Sequence, residues 1–278
     1  GLALLLVLTL GLRPPGWGAE ASALAGLLAA TRLLTRLQGP RGSTLRDLAP
    51  VGGVLAIYLL LQPLVAAANP HRWDAALAQV DARLFGPLAL GWRQAFGRPA
   101  LVTDLVYGAY ASFYGLPLAV ALRVRRQAGT AAFERVVFLL ELGFYLSFLG
   151  YFLVPAEGPR VPQPLEAAQL GGGAVAEAVR AFLRLSERTT LDAFPSGHTA
   201  LSLLAAWIAV RRLPREAPVF AAWAAAVTFA TVYLSLHYVV DVLAGILLVP
   251  LTLAVAGPLG RRLGEGGAAP PFPGANRV

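Results

Sequence analysis

The sequence predicts an all-α integral membrane protein with a six-transmembrane-helix core bundle, and three observations carry that reading. Hydrophobic residues make up 57% of the 278-residue chain and charged residues only 14%, with a mean hydropathy of +0.63. A soluble domain of this size carries roughly a quarter charged residues. Several apolar runs approach or exceed the ~20 residues that cross a bilayer core. The third observation is where the charges fall: all 23 cations are arginine, and most of them flank apolar runs.

That last pattern decides what the basic balance means. A pI near 10.5 would suggest nucleic-acid binding in a soluble chain. Arginines at the ends of apolar segments instead serve topology and contact with anionic headgroups, so nucleic acid is not an expected partner. Cysteine is absent, which removes disulfides, thiolate nucleophiles and Cys-type metal sites.

The elements follow in order. The opening GLALLLVLTLGL reads either as the remainder of a signal peptide, with Ala19, Ala21 and Ala23 near a cleavage site, or as a membrane helix. Residues 20–37 form a second helix and GPRGSTLR at 39–46 a polar linker, completing an N-terminal region at 1–46. The catalytic membrane domain spans 47–262, with core helices at 50–68, 101–122, 133–154, 196–212, 217–235 and 238–259. Between the first two, residues 69–97 are too charged to span. Trp73, Leu77, Val80 and Leu84 recur there at helical spacing, the mark of an interfacial amphipathic helix. A long loop at 155–195 contains a short amphipathic helix, 174–188, with Arg180, Arg184 and Arg188 on one face. The Gly/Pro/Ala-rich tail 263–278 reads as disordered.

Arginine placement orients the bundle. Arg123, Arg125 and Arg126 follow the second core helix, Arg211, Arg212 and Arg215 the fourth, and Arg261 and Arg262 the sixth. Those ends are expected in the cytoplasm. The loop 155–195 and the 235–238 turn then face outward, in a plasma membrane such as the bacterial inner membrane.

Two of the three histidines fall at that outer face. His198 opens the fourth core helix in FPSGHT, and His237 opens the sixth in HYVVDVLAG. Asp241 follows His237 by four residues, so the two share a helical face, and the carboxylate is placed to fix the imidazole tautomer. Ser196 is the expected N-cap, and the free N–H groups around Gly197 and His198 make an anion site. One imidazole to attack and one to protonate, beside an anion cradle, describe phosphoryl transfer. Zinc held by His198, His237 and Asp241 is the competing chemistry, but the chain has no HExxH, and an anion-binding helix start is a poor place for a cation. No metal or other cofactor is therefore expected. His71, beside Arg72 in the amphipathic stretch, reads as a solvated interfacial residue. A non-enzymatic lipid-transport or lipid-binding bundle with proton-gating histidines is the alternative from another class.

The two motifs, separated by a hydrophobic hairpin, resemble the second and third signatures of the type-2 phosphatidic acid phosphatase superfamily. The resemblance implies a metal-independent phosphohistidine mechanism with His237 as nucleophile, Asp241 orienting it and His198 as general acid. Ser196 and Gly197 would hold phosphate oxygens. The first signature, Lys, six residues, Arg-Pro, is replaced by YFLVPAEGPR, where Arg160 is the candidate cation and Leu153 stands at the lysine's spacing. Thr231 stands where the third signature carries an arginine. Arg72, Arg83, Arg180, Arg184 and Arg188 are the cations available to compensate. HYVVD without that arginine, and the segment VDARLFG, resemble inositol phosphorylceramide synthases and related sphingolipid synthases. That resemblance implies a phospholipid-like donor and a lipid, polyol or water acceptor at the extracytoplasmic face. A simple lipid phosphate or polyprenyl diphosphate phosphatase would use the same residues.

Overall fold

Eleven α-helices and no strand occur among the described residues of the computed structural model, which are 2–34, 36, 39–88, 91, 92, 95, 100–159, 171–186 and 190–262. In chain order they are α1 (Leu2–Leu12), α2 (Trp17–Leu34), α3 (Gly39–Ala68), α4 (Asp74–Phe85), α5 (Ala100–Ala111), α6 (Leu116–Ala128), α7 (Thr130–Leu153), α8 (Ala174–Ser186), α9 (Gly197–Arg212), α10 (Ala217–Tyr233) and α11 (Val239–Arg262). The tail 263–278 lies outside the described residues.

Three helical stretches are long and apolar enough to cross a membrane, at 49–68, 130–153 and 239–261. The second expected span is broken. α5 and α6 meet at a 51° bend through a 3₁₀ turn at Ser112–Tyr114. Pro117, at the start of α6, cannot continue the hydrogen-bond ladder of the helix before it. The indole of Trp223 on α10 donates to the Ser112 hydroxyl at 2.6 Å and staples the bend. α9 and α10, at 16 and 17 residues, measure roughly 24–26 Å, short of the ~30 Å hydrocarbon core. Of the six expected spans, three are such stretches among the described residues, and the bent pair α5–α6 passes the same length and composition only when its two halves are taken together.

A second correction concerns the linker. Residues 39–46 are helical, the opening turns of α3, which runs unbroken to Ala68. Pro50 and Pro63 sit inside this helix, as membrane helices tolerate where neighbours re-satisfy the freed carbonyls.

α9 is the hub of the bundle and packs against α6, α7, α10 and α11. Leu201, Leu204 and Ile208 on it are almost wholly buried. Lipid tails are as apolar as leucine, so close packing rather than water exclusion must hold such helices together. Small residues supply it: Ala200, Ala205 and Ala209 on α9 and Ala217, Ala224 and Ala230 on α10 are buried. Gly143 of α7 lies where a Cβ would come within 3.1 Å of Leu204 and 3.3 Å of Leu201. The outward faces carry large apolar side chains more than half exposed, among them Leu101, Leu105, Leu149, Val219 and Leu247. On a protein in water these would be a liability; in a bilayer they are the lipid contact. The molecule is an integral membrane protein.

Gly245 fixes how α11 crosses the start of α9. A Cβ there would stand 2.6 Å from the Ser196 carbonyl oxygen and 3.1 Å from the Thr199 Cβ. Both neighbours belong to the capped first turn, so they cannot swing aside. Gly245→Ala is expected to cost about 2–3 kcal/mol of stability, read as a lowered thermal midpoint in detergent.

Candidate active site

The site forms where α9 and α11 begin, and each histidine is set by its backbone. Pro195, after a cis peptide bond, packs its ring against Gly150 of α7. Ser196 caps α9 as expected: its Oγ accepts from the Thr199 N–H at 3.3 Å and donates to the Thr199 Oγ1 at 3.1 Å. The Ser196 N–H is held by the Asp241 carbonyl oxygen at 3.0 Å. This ties FPSGHT to the first turn of α11. The Ser196 hydroxyl is thus engaged within its own turn and the residue is fully buried.

His198 leaves that turn into an aromatic slot. Its ring stacks on Tyr110 at 4.6 Å and lies 4.4 Å from the Phe113 ring. The bend between α5 and α6 is what places Phe113 there. Gly197 is required by a tyrosine: a Cβ on it would sit 2.8 Å from the Tyr151 hydroxyl. Gly197, His198 and Tyr151 together line one cavity.

His237 lies before α11, in the turn closing α10. Ser235 takes a left-handed φ of 54°, and the Thr231 carbonyl accepts from both the Leu236 and His237 N–H groups at 3.0 and 3.1 Å. The His237 ring sits 5.8 Å from that of His198, centroid to centroid, and its Nδ1 is 2.8 Å from the Ala193 carbonyl oxygen. A carbonyl only accepts, so Nδ1 carries the proton and Nε2 of the neutral ring keeps the lone pair.

The expected role of Asp241 changes accordingly. His237 is outside the helix, so the pair does not stack as two turns of one helix would. Nδ1 is 3.6 Å from Asp241 Oδ2, beyond hydrogen-bond distance, and Ala193 fixes the tautomer instead. Asp241 Oδ2 accepts from the Tyr238 N–H at 2.8 Å, half of a capping box at the start of α11. Its carboxylate remains close enough to stabilise positive charge on His237.

α4 clamps both segments of this site. Asp74 Oδ1 accepts from the N–H groups of Glu157 and Gly158, each at 2.9 Å. The Ala156 carbonyl in turn accepts from the Ala193 N–H at 3.0 Å, so the carbonyl that sets the His237 tautomer hangs from this loop. Gly158, at φ 81°, is wedged where a Cβ would stand 2.7 Å from the Leu236 carbonyl. One helix turn pair further on, Asp81 accepts from the Val240 N–H at 3.0 Å. Burial pushes its carboxyl above the ordinary value, against the lowering by the Val240 and Val239 N–H groups. Asp74→Ala strands two N–H groups, so kcat is expected to fall about tenfold or more, from a loss of ~1.5–3 kcal/mol per charged hydrogen bond. Asp74→Asn, which keeps an accepting oxygen, is expected to recover most of it, as steady-state kinetics will show.

The cationic part is the least defined. Arg160 and Arg188 lie outside the described residues. Arg72 donates to the backbone carbonyls of Asn69, Pro70 and His71 at 3.2–3.4 Å. Arg180 donates to Gly171 and lies over the Tyr107 ring. Arg83 and Arg184 are exposed. Leu153 is 63% exposed, and Thr231 serves the turn through its backbone. His71 is exposed, edge-on to Trp73, as expected. Among the described residues no group of three or more His, Cys, Asp or Glu is placed to hold a metal ion.

Sequence reasoning missed Tyr58, Tyr110, Tyr151 and Asp192. Asp192, almost buried, accepts from the Tyr58 hydroxyl at 2.6 Å and lines the same cavity as His198. Gln62, one turn on, exchanges hydrogen bonds with Thr190 at 2.8 and 3.0 Å. α3 thus pins the segment leading into FPSGHT. The signal was present: Asp192 is a lone acid four residues before Ser196, and Tyr58 and Gln62 are polar residues one turn apart in an apolar helix.

No curated protein and no solved structure matches the chain. A family model described as the PAP2 superfamily matches residues 75–255, from α4 into α11, well over half of the chain and including both histidine motifs. The chain belongs to the PAP2 superfamily, the type-2 phosphatidic acid phosphatase superfamily that FPSGHT and HYVVDVLAG resemble.

Proposed function

We propose that this protein moves a phosphoryl or phospho-headgroup from a phospholipid-like donor to a hydroxyl or water through a phosphohistidine intermediate. The observation that carries the reading is the His237 tautomer beside His198. The Nε2 lone pair forms a bond to phosphorus as the bond to the donor oxygen breaks, and His198 gives that oxygen its proton. Water or a second hydroxyl then yields its proton to His198 and attacks phosphorus. The N–P bond breaks, and both rings return to their starting states. Asp241 stabilises the charge that His237 carries in between. The helix start at Gly197 and His198 offers N–H groups to the phosphate oxygens, and Arg160 supplies a cation.

The active site lies at the extracytoplasmic face. Supporting this, the arginine-bearing ends of α6 and α9 gather at the opposite end of α9, where Arg123 meets Glu216 at 2.6 Å. Within the superfamily, the reading extends to an inositol phosphorylceramide synthase-like transferase. That extension rests on the resemblance of VDARLFG, and of HYVVD without the arginine, to those synthases.

The test is incubation with donor lipid labelled in its phosphate, with EDTA present. Label on the protein that is stable to alkali, labile to acid and absent from His237→Ala supports the phosphohistidine. Product containing a second alcohol indicates a transferase, and free phosphate a hydrolase. Lipid bound or moved across the bilayer with no chemical change would sink the enzymatic reading in favour of transport.

A further inference from the structure

A second cavity adjoins the one at His198. It lies between α3, α6 and α7, and Val54, Leu55, Phe113, Tyr114 and Phe144 line both. The two are therefore one groove, with His198 at one end. From Tyr58 to Pro50 on α3 its wall rises roughly 12 Å, and from Tyr151 to Val137 on α7 roughly 21 Å. That is about the depth of one leaflet, half of the ~30 Å core. Beyond the end that carries Asp192 and His198, the wall is hydrocarbon and aromatic except at Glu141, a half-buried carboxyl in the middle of α7 that makes no hydrogen bond to another described residue.

We propose that this groove holds a single long hydrocarbon tail of the lipid phosphate, and that Glu141 meters its length. This rests on the phosphotransfer reading above. The continuity with the cavity at His198 names the occupant: a lipid phosphate whose leaving oxygen reaches His198 has its apolar part against these five residues. A tail that stops short of Glu141 covers only hydrocarbon. A longer one takes water away from that carboxyl, which is unfavourable. Tails that end before Glu141 are therefore preferred.

The test uses the full chain in nanodiscs with a series of alkyl phosphates from butyl to hexadecyl. Each kcat/KM is read as the ratio of variant to wild type, which cancels partitioning into the disc. Leu55→Trp, at a position already 46% exposed, should lose ground as the tail lengthens, with its ratio falling about tenfold or more from butyl to dodecyl. Leu118→Trp on the opposite wall should do the same. Glu141→Leu should match wild type on short tails and exceed it severalfold on hexadecyl. Ratios flat with chain length for both tryptophan variants would overturn the groove, and a flat ratio for Glu141→Leu would overturn the metering. Failure of wild type to turn over any member, or turnover by His237→Ala, would count against the phosphotransfer reading itself.

Discussion

Replacing His237 with alanine is expected to lower phosphoryl transfer by at least ~10⁴-fold, the scale seen when a covalent nucleophile is removed. His198 cannot substitute, because its ring is held between Tyr110 and Phe113. Its assigned work is also proton transfer to the leaving oxygen on the other side of phosphorus. The fold should survive. The change removes one hydrogen bond, to Ala193 at 2.8 Å, worth about 1 kcal/mol net. The turn itself is held by the Thr231 carbonyl, which bonds backbone groups that alanine retains. Transfer rates and thermal midpoints measured on the same preparation separate the two effects. Loss of activity with an unchanged midpoint supports the assignment, and residual activity above about a hundredth of wild type contradicts it.

Much of this site was legible because its chemistry is written in neighbouring residues. Proline, serine and glycine at a helix start specify cap and close approach within three positions, and Ser196 caps α9 as that spacing requires. The spans at 49–68, 130–153 and 239–261 were legible for the same local reason, since a long apolar run has little else to become in a bilayer. What failed depends on contacts between distant segments. The i,i+4 spacing of His237 and Asp241 suggested a helical pair. The Thr231 carbonyl and Ser235, however, hold His237 in a turn, and the Ala193 carbonyl, 44 residues away, accepts the hydrogen bond from its Nδ1–H. The bend after α5 needed the Trp223 indole on Ser112, 111 residues off in sequence. Linker 39–46 misled because glycine, proline and arginine read as punctuation, whereas the chain carries them in the opening turns of a helix.

The clamp by α4 belongs to the same class. An amphipathic stretch with Asp74 and Asp81 reads as a surface helix with solvated acids. In the fold those two carboxylates take three backbone N–H groups, two from Glu157 and Gly158 in the loop that holds Ala193 and one from Val240, three residues after His237. Acids seven residues apart share a helical face. Here that face is turned toward the start of α11 and the loop after α7, so the interfacial helix and the catalytic motifs form one unit.

His198→Ala gives the second large effect, and its size should depend on the leaving group. An alkoxide needs a proton as it departs, so lipid substrates should slow by about 10²–10⁴-fold, the usual worth of a general acid. A nitrophenolate leaves without one, so the first step on p-nitrophenyl phosphate should change little. The second step still needs a base to activate water, and His198 is that base. The variant should therefore release one equivalent of nitrophenol in a burst and then stall as phosphoenzyme. Alanine also empties the slot between Tyr110 and Phe113, so His198→Phe is the companion variant: it refills the aromatic slot and carries no proton. A burst followed by a stall in both variants assigns the loss to proton transfer. Equal slowing of lipid and nitrophenyl substrates, without a burst, would mean that His198 only packs the site and that another group protonates the leaving oxygen.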